Sequence, residues 1–332
     1  MNRPLILIFF ILIACASAQS QEATYAEKLG FPKGSKVLIL HVDDVGMSWD
    51  SNQGAITATE KGVATSVSIM MPCPWVPGFI HYLKEKNGNV DAGLHLTLTS
   101  EWKDYRWGPL RGKPTVPGLV DNEGAMWAST EDVVKHATAD EVESEIRAQI
   151  ERARALGIEP THLDSHMGTL FATPEFLQRY IKVGIEQKIP VMFPGGHASM
   201  VHEEYASDQE RKTLMKQTGT MLWNAGLPVL DDLHGVSYGF DYPKTKMTDQ
   251  ELQKFATDKY IETIRGLKPG LTMVIMHCTV VSEVFPYISD SEKIRKGDLL
   301  TMTNPEFKKF LEKEKIILTT WREVKQKRAA VK

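Results

Sequence analysis

Short apolar runs alternate along this chain with longer stretches in which apolar residues recur at helical spacing. Residues 37–40, Val-Leu-Ile-Leu, are followed closely by Asp43, Asp44 and Gly46. A continuous aliphatic run of this kind suits a parallel strand covered on both faces. Segments 65–71, 90–99, 191–193, 271–276 and 316–320 read as further strands, with strand-like pieces before His166 and at 229–230. Helical patterns cover 51–61, 75–86, 138–156, 174–188, 208–226, 248–267 and 306–315. The alternation predicts an α/β fold, most economically a (β/α) barrel of seven to eight parallel strands with its active site at the strand C-termini.

Polar residues collect at the ends of these strands. Asp43 and Asp44, His95, Asp164 and His166, Asp231 and His234, and His277 all fall there. Barrels and doubly wound sheets both bind ligands at that end. Within 90–99, alternation places His95 on one face with Gly93, Thr97 and Thr99, opposite three leucines. The acidic pair has a competing role as a cap for the helix that follows.

One aspartate and two histidines are sufficient to hold a catalytic divalent ion and leave positions for water and substrate. Asp44, His95 and His166 supply such a set. His162 competes for a ligand role, because positions i and i+4 of an extended segment face the same way. Asp43 could then take a proton from water, Asp164 could fix a histidine tautomer, and His277 could protonate a leaving amine or stabilise an oxyanion. The same residues admit a metal-dependent hydrolase, a two-histidine, one-carboxylate Fe(II) oxygenase, or a sugar-binding barrel without turnover. His234 and Trp107 are further candidates for ligand or substrate contact. Trp102, Tyr105, Trp107 and Trp127, in the long connection 101–127, offer flat faces either to sugar rings or to the barrel rim.

A net charge of −3 leaves no electrostatic footprint for nucleic acid. Arg3, the apolar run 5–14 and Ala16-Ser17-Ala18 have the layout of a secretory signal peptide over 1–18. Leu12-Ile13-Ala14-Cys15 also resembles a bacterial lipobox, in which Cys15 would become a lipidated tether. The expectation is an exported protein, in the bacterial periplasm, secreted or lipid-anchored, with a linker over 19–35, one domain over 36–326 and a basic tail over 327–332. Cys73 and Cys278 would remain, too few for a disulfide scaffold, with a single bridge left open.

Val42-Asp43-Asp44-Val45-Gly46, Gly93-Leu94-His95-Leu96-Thr97-Leu98-Thr99 and Thr161-His162-Leu163-Asp164-Ser165-His166 resemble, in order and spacing, the YdjC-like carbohydrate deacetylases. That family includes chito-oligosaccharide deacetylases and is distantly similar to the polysaccharide deacetylases. The resemblance implies a (β/α) barrel that removes acetyl groups from an N-acetylated sugar or oligosaccharide. It further implies a divalent metal, magnesium or zinc, on Asp44, His95 and His166, with Asp43 as base. His277 looks like the family's late-strand histidine, but Cys278-Thr279 follows it where the family has Pro-Gly. His41-Val42 and Val45 stand in place of Asn-Ala and Phe, and Met167 stands where a further histidine is common. The tryptophan-containing connection and Gly195-Gly196-His197 point to a substrate different from that of the cytoplasmic chito-oligosaccharide enzymes.

Overall fold

A computed structural model describes residues 22–199, 208–235 and 237–331. The signal-peptide and lipidation readings over 1–18 lie outside the described residues. Seven parallel strands, β1 (Lys36–Val45), β2 (Ser66–Ile69), β3 (Ala92–Leu96), β4 (Leu163–Ser165), β5 (Asp232–His234), β6 (Gly270–Met276) and β7 (Ile317–Leu318), form one curled sheet. Its order is β4-β3-β2-β1-β6-β5, and β7 pairs with the N-terminal half of β1. Helices pack around it to give a half-barrel. The single parallel bridges Leu163–Val191 and Pro194–Leu230 lie between its two edge strands. The expected strand at 191–193 is thus reduced to isolated pairings. Among the described residues no helix is long and apolar enough to cross a membrane.

The alternation of β1 explains where the chemistry sits. Leu38, Leu40 and Val42 face outward into the main core beneath the helices, whereas Val37 and Ile39 face inward with Met192, Leu230, Leu271, Met273 and Trp321. Continuing the inward face, the next two residues are His41 and Asp43. The barrel interior is therefore apolar at its N-terminal end and polar at its C-terminal end, and one strand encodes the change. Strand β2 matches it, with Val67 and Ile69 in the outer core and Ser68 against His41 and Asp43.

Asp43 and Asp44 do not cap the following helix, Trp49–Glu60. Ser48 does so, accepting from the Ser51 backbone N–H. Asp44 instead adopts a left-handed φ of 61°, and the pairing of β1 with β2 shifts register between Val42 and Val45. Such a bulge re-aims side chains. It turns two adjacent carboxylates toward one site, against the alternation that would separate them.

The segment 19–35 contains a helical turn, Tyr25–Lys28, whose first two N–H groups donate to Asp231. The C-terminal stretch is a helix, Trp321–Ala330, with Lys327 over Phe31 and Arg328 over Trp223. Cys73 and Cys278 are both buried, and neither is in a disulfide among the described residues. A helix absent from the sequence reading, Glu292–Met302, packs against Asp249–Gly266 and reaches the site.

Candidate metal centre

Register brings the first contact together. His95 on β3 lies directly opposite Asp164 on β4, and its Nδ1 is 2.7 Å from Asp164 Oδ1. That bond leaves His95 Nε2 directed at Asp44 Oδ1, 3.3 Å away. His166 follows β4, where Met167 and Gly168 take left-handed φ values of 51° and 63° and turn the chain sharply. Its Nδ1 is 3.3 Å from Asp44 Oδ1 and 3.2 Å from His95 Nε2, while its Nε2 meets Glu101 Oε1 at 2.9 Å. Each histidine thus has one nitrogen on a carboxylate and the other turned to Asp44.

These donor atoms fit a metal ion. Bonds of about 2.0–2.1 Å to a common centre separate neighbouring ligand atoms by roughly 3.0–3.4 Å, and the three stand 3.2–3.3 Å apart. Asp44 Oδ1 is buried without a hydrogen-bond partner among the described residues. Burial alone would raise the Asp44 pKa, but the Arg295 guanidinium and the His166 and His95 ring nitrogens hold it well below the usual carboxylate range. An ionised aspartate and two imidazoles oriented by carboxylates are a suitable donor set for a divalent transition ion.

Asp43 is held beside this set. Its Oδ1 accepts from Ser68 Oγ at 3.2 Å and lies 3.0 Å from His41 Nε2. Its Oδ2 is 3.7 Å from His95 Nε2 and 4.0 Å from His277 Nε2. His277, at the end of β6, has its backbone N–H fixed by Asp298 Oδ2 at 2.8 Å. Burial, with the nearby Arg295 charge, lowers the His277 pKa to about 4 against the opposing pull of Asp44 and Asp43. Its imidazole is neutral at pH 7. All five residues border a cavity of about 410 Å³, together with Glu101, Trp102, Tyr238 and Arg295.

The remaining sequence candidates lie elsewhere. His162 is on the same inward face as Asp164 and His166 but one layer deeper, stacked on Trp321 with ring centroids 5.0 Å apart. Its ring fills the space above Gly93, where a Cβ would come within 2.3 Å of it. His234 pairs across β5 and β6 with Val274, a residue of the outer core, and its Nε2 is 3.7 Å from Asp232. Neither borders the cavity. Trp107 is buried among Met47, Met70, Cys73, Met126 and Phe285, and its indole donates to the Thr99 carbonyl. Trp127 stacks on His136 and donates to the Gly118 carbonyl. Of the four aromatic residues in that connection, Trp102 borders the cavity.

Glu101, Arg295, Ser68 and His41 took no site role in the sequence reading. Glu101 could have been suspected as the carboxylate that closes the His95 strand. Arg295 sits in a charged helix with no motif around it, and only the fold brings it to Asp44.

Comparison with known proteins bears on the fold and the family. A carbohydrate deacetylase of Thermus thermophilus is 28% identical over 306 residues, covering 90% of this chain and 97% of that protein. One from Thermoanaerobacter pseudethanolicus is 23% identical over 86% of this chain and 98% of its own length. The crystal structure of an Enterococcus faecalis V583 protein, a candidate for cellobiose-phosphate cleavage, shares the fold with a TM-score of 0.68 at 20% identity, over 87% of this chain and 99% of that one. The YdjC-like protein family model matches residues 37–313, and the chain belongs to that family.

Proposed function

We propose that this chain is a metal-dependent hydrolase that removes the acetyl group from an N-acetylated amino sugar or its oligosaccharide. The observation that carries the reading is the convergence of Asp44 Oδ1, His95 Nε2 and His166 Nδ1 within 3.3 Å of one another, beside Asp43 Oδ2. Asp44, His95 and His166 would hold the ion, zinc or magnesium. Bound there, a divalent ion polarises a carbonyl and acidifies water.

The chain's own residues account for the proton balance. Asp43 Oδ2 takes one proton from the attacking water as its oxygen bonds to the acetyl carbonyl carbon, giving a tetrahedral adduct that then collapses to acetate as the carbon–nitrogen bond breaks. The departing amine needs a proton. His277 is neutral at rest and its Nε2 lies 4.0 Å from Asp43 Oδ2, a gap that one bridging water spans, and by that route the proton that Asp43 collected reaches His277 and then the departing nitrogen. Trp102 and Tyr238 border the cavity and supply apolar faces for a pyranose ring. The N-terminal pattern over 1–18 supports an exported enzyme, free or tethered through Cys15.

Incubation with N-acetylated sugars and oligosaccharides, with acetate assayed, tests the reading. Metal-dependent acetate release from at least one of them is expected. Binding without release would favour a sugar-binding barrel, and oxygen consumption with Fe(II) would favour an oxygenase.

A further inference from the structure

His41 Nε2 lies 3.0 Å from Asp43 Oδ1, 3.0 Å from Asp164 Oδ2 and 3.0 Å from Ser68 Oγ. The ring is fully buried, and its Nδ1 has no hydrogen-bond partner among the described residues. Two carboxylate oxygens at this distance require a donor, so we assign the hydrogen to Nε2. His162 meets the ring edge-on at 4.9 Å and is itself stacked on Trp321, which leaves His41 little room to turn.

The two carboxylates joined by this nitrogen serve different parts of the site. Asp164 uses its other oxygen, Oδ1, to hold His95 Nδ1. Asp43 is gripped at Oδ1 by His41 and Ser68, which fixes its rotation with Oδ2 toward His95 and His277. We infer that His41 is a positioning residue, a clamp whose Nε2–H ties the base Asp43 to Asp164 and so sets the base at a fixed place relative to the proposed ligand His95. Its part in turnover rests on the deacetylase reading. Its part in ordering the ligand set does not.

The role differs from core filling, and two substitutions separate them. His41→Leu removes the donor at similar bulk, and His41→Gln retains one. Zinc affinity is measured by competition with a chelating dye, alongside kcat and KM for acetate release and a melting temperature to confirm folding. For His41→Leu, zinc binding about tenfold weaker and kcat at least about tenfold lower are expected, within the range typical for groups that orient ligands, with KM unchanged. His41→Gln should recover most of both. Wild-type zinc affinity and kcat in His41→Leu would overturn the clamp, as would equal impairment of both variants. If His41→Leu does not fold, His41→Gln combined with Ser68→Ala decides. Non-additive loss of kcat is expected from a shared grip on Asp43 Oδ1, and strict additivity would contradict it. If no sugar is turned over by the wild type, the zinc affinities still test the clamp while the deacetylase reading fails separately.

Discussion

Arg295 Nη2 lies 2.7 Å from Asp44 Oδ2, so one oxygen of Asp44 is paired with a buried guanidinium and the other faces two histidines. The pairing ties down one carboxylate oxygen and leaves the other to the proposed metal position. Removing one partner of a buried pair leaves an uncompensated charge and typically costs about 3–5 kcal/mol. Arg295→Met should therefore lower the melting temperature markedly in chelator-treated protein. A divalent ion would then take over much of the lost compensation, so metal should raise the melting temperature of the variant by more than it raises that of the wild type. Calorimetry with and without zinc checks this, and equal shifts would contradict it.

Asp164 and Glu101 each orient a histidine, at 2.7 Å and 2.9 Å. Asp164→Asn and Glu101→Gln keep the shape and lose the charge. Each should weaken zinc affinity by about 10–100-fold. Dye competition measures it. Unchanged affinity in both would mean that the histidines need no such support.

Asp43 lies at the edge of the ligand set, with Oδ2 3.7 Å from His95 Nε2, and its expected contribution is to proton transfer. Asp43→Asn should keep zinc affinity within a few-fold and lower kcat by roughly 10²–10⁴. Retained turnover would return Asp43 to a purely structural role.

Away from the site, Glu143 ties helix Ala139–Ala155 to helix Pro174–Gln187 through Arg179 and Lys182, and pairs with Arg147 one turn along its own helix. Burial alone would raise its pKa, but hydrogen bonds to these three cations lower it from 4.5 to about 2. Because the folded-state value is depressed, the stabilisation is full above the unfolded pKa and is lost as pH falls through about 2. Glu143→Gln should cost about 1–2 kcal/mol at pH 7, allowing for partners that face solvent. Urea midpoints should converge with those of the wild type as pH falls below about 4. A gap that persists at low pH would contradict the linkage.

Much of this was legible in the sequence, for identifiable reasons. The inward face of β1, Val37, Ile39, His41 and Asp43, passes from apolar to polar within one strand, and that pattern points to the end of the sheet where the site lies. Asp44, His95 and His166 stood out because strand ends rarely carry such residues together. The bulge at Asp44 was not legible, since its left-handed φ of 61° follows from the register shift against β2. The depth of His162 depended on stacking with Trp321, far away in sequence. Helix Glu292–Met302 is rich in charge and weakly patterned, so Arg295 and Asp298 went unnoticed. The two roles open to Trp107, facing sugar or packing, cannot be told apart in sequence, because an aromatic residue in a long loop reads alike in both; the structure buries it in the loop's own core.

The most direct test is acetate release by chelator-stripped protein, from whichever N-acetylated sugar or oligosaccharide the wild type turns over, as zinc or magnesium is added. The expected rate is near zero at first, rises to a plateau at about one ion per chain, and stays flat throughout in His166→Ala. Full activity in the presence of chelator, or an equal rise in His166→Ala, would contradict a catalytic metal on Asp44, His95 and His166.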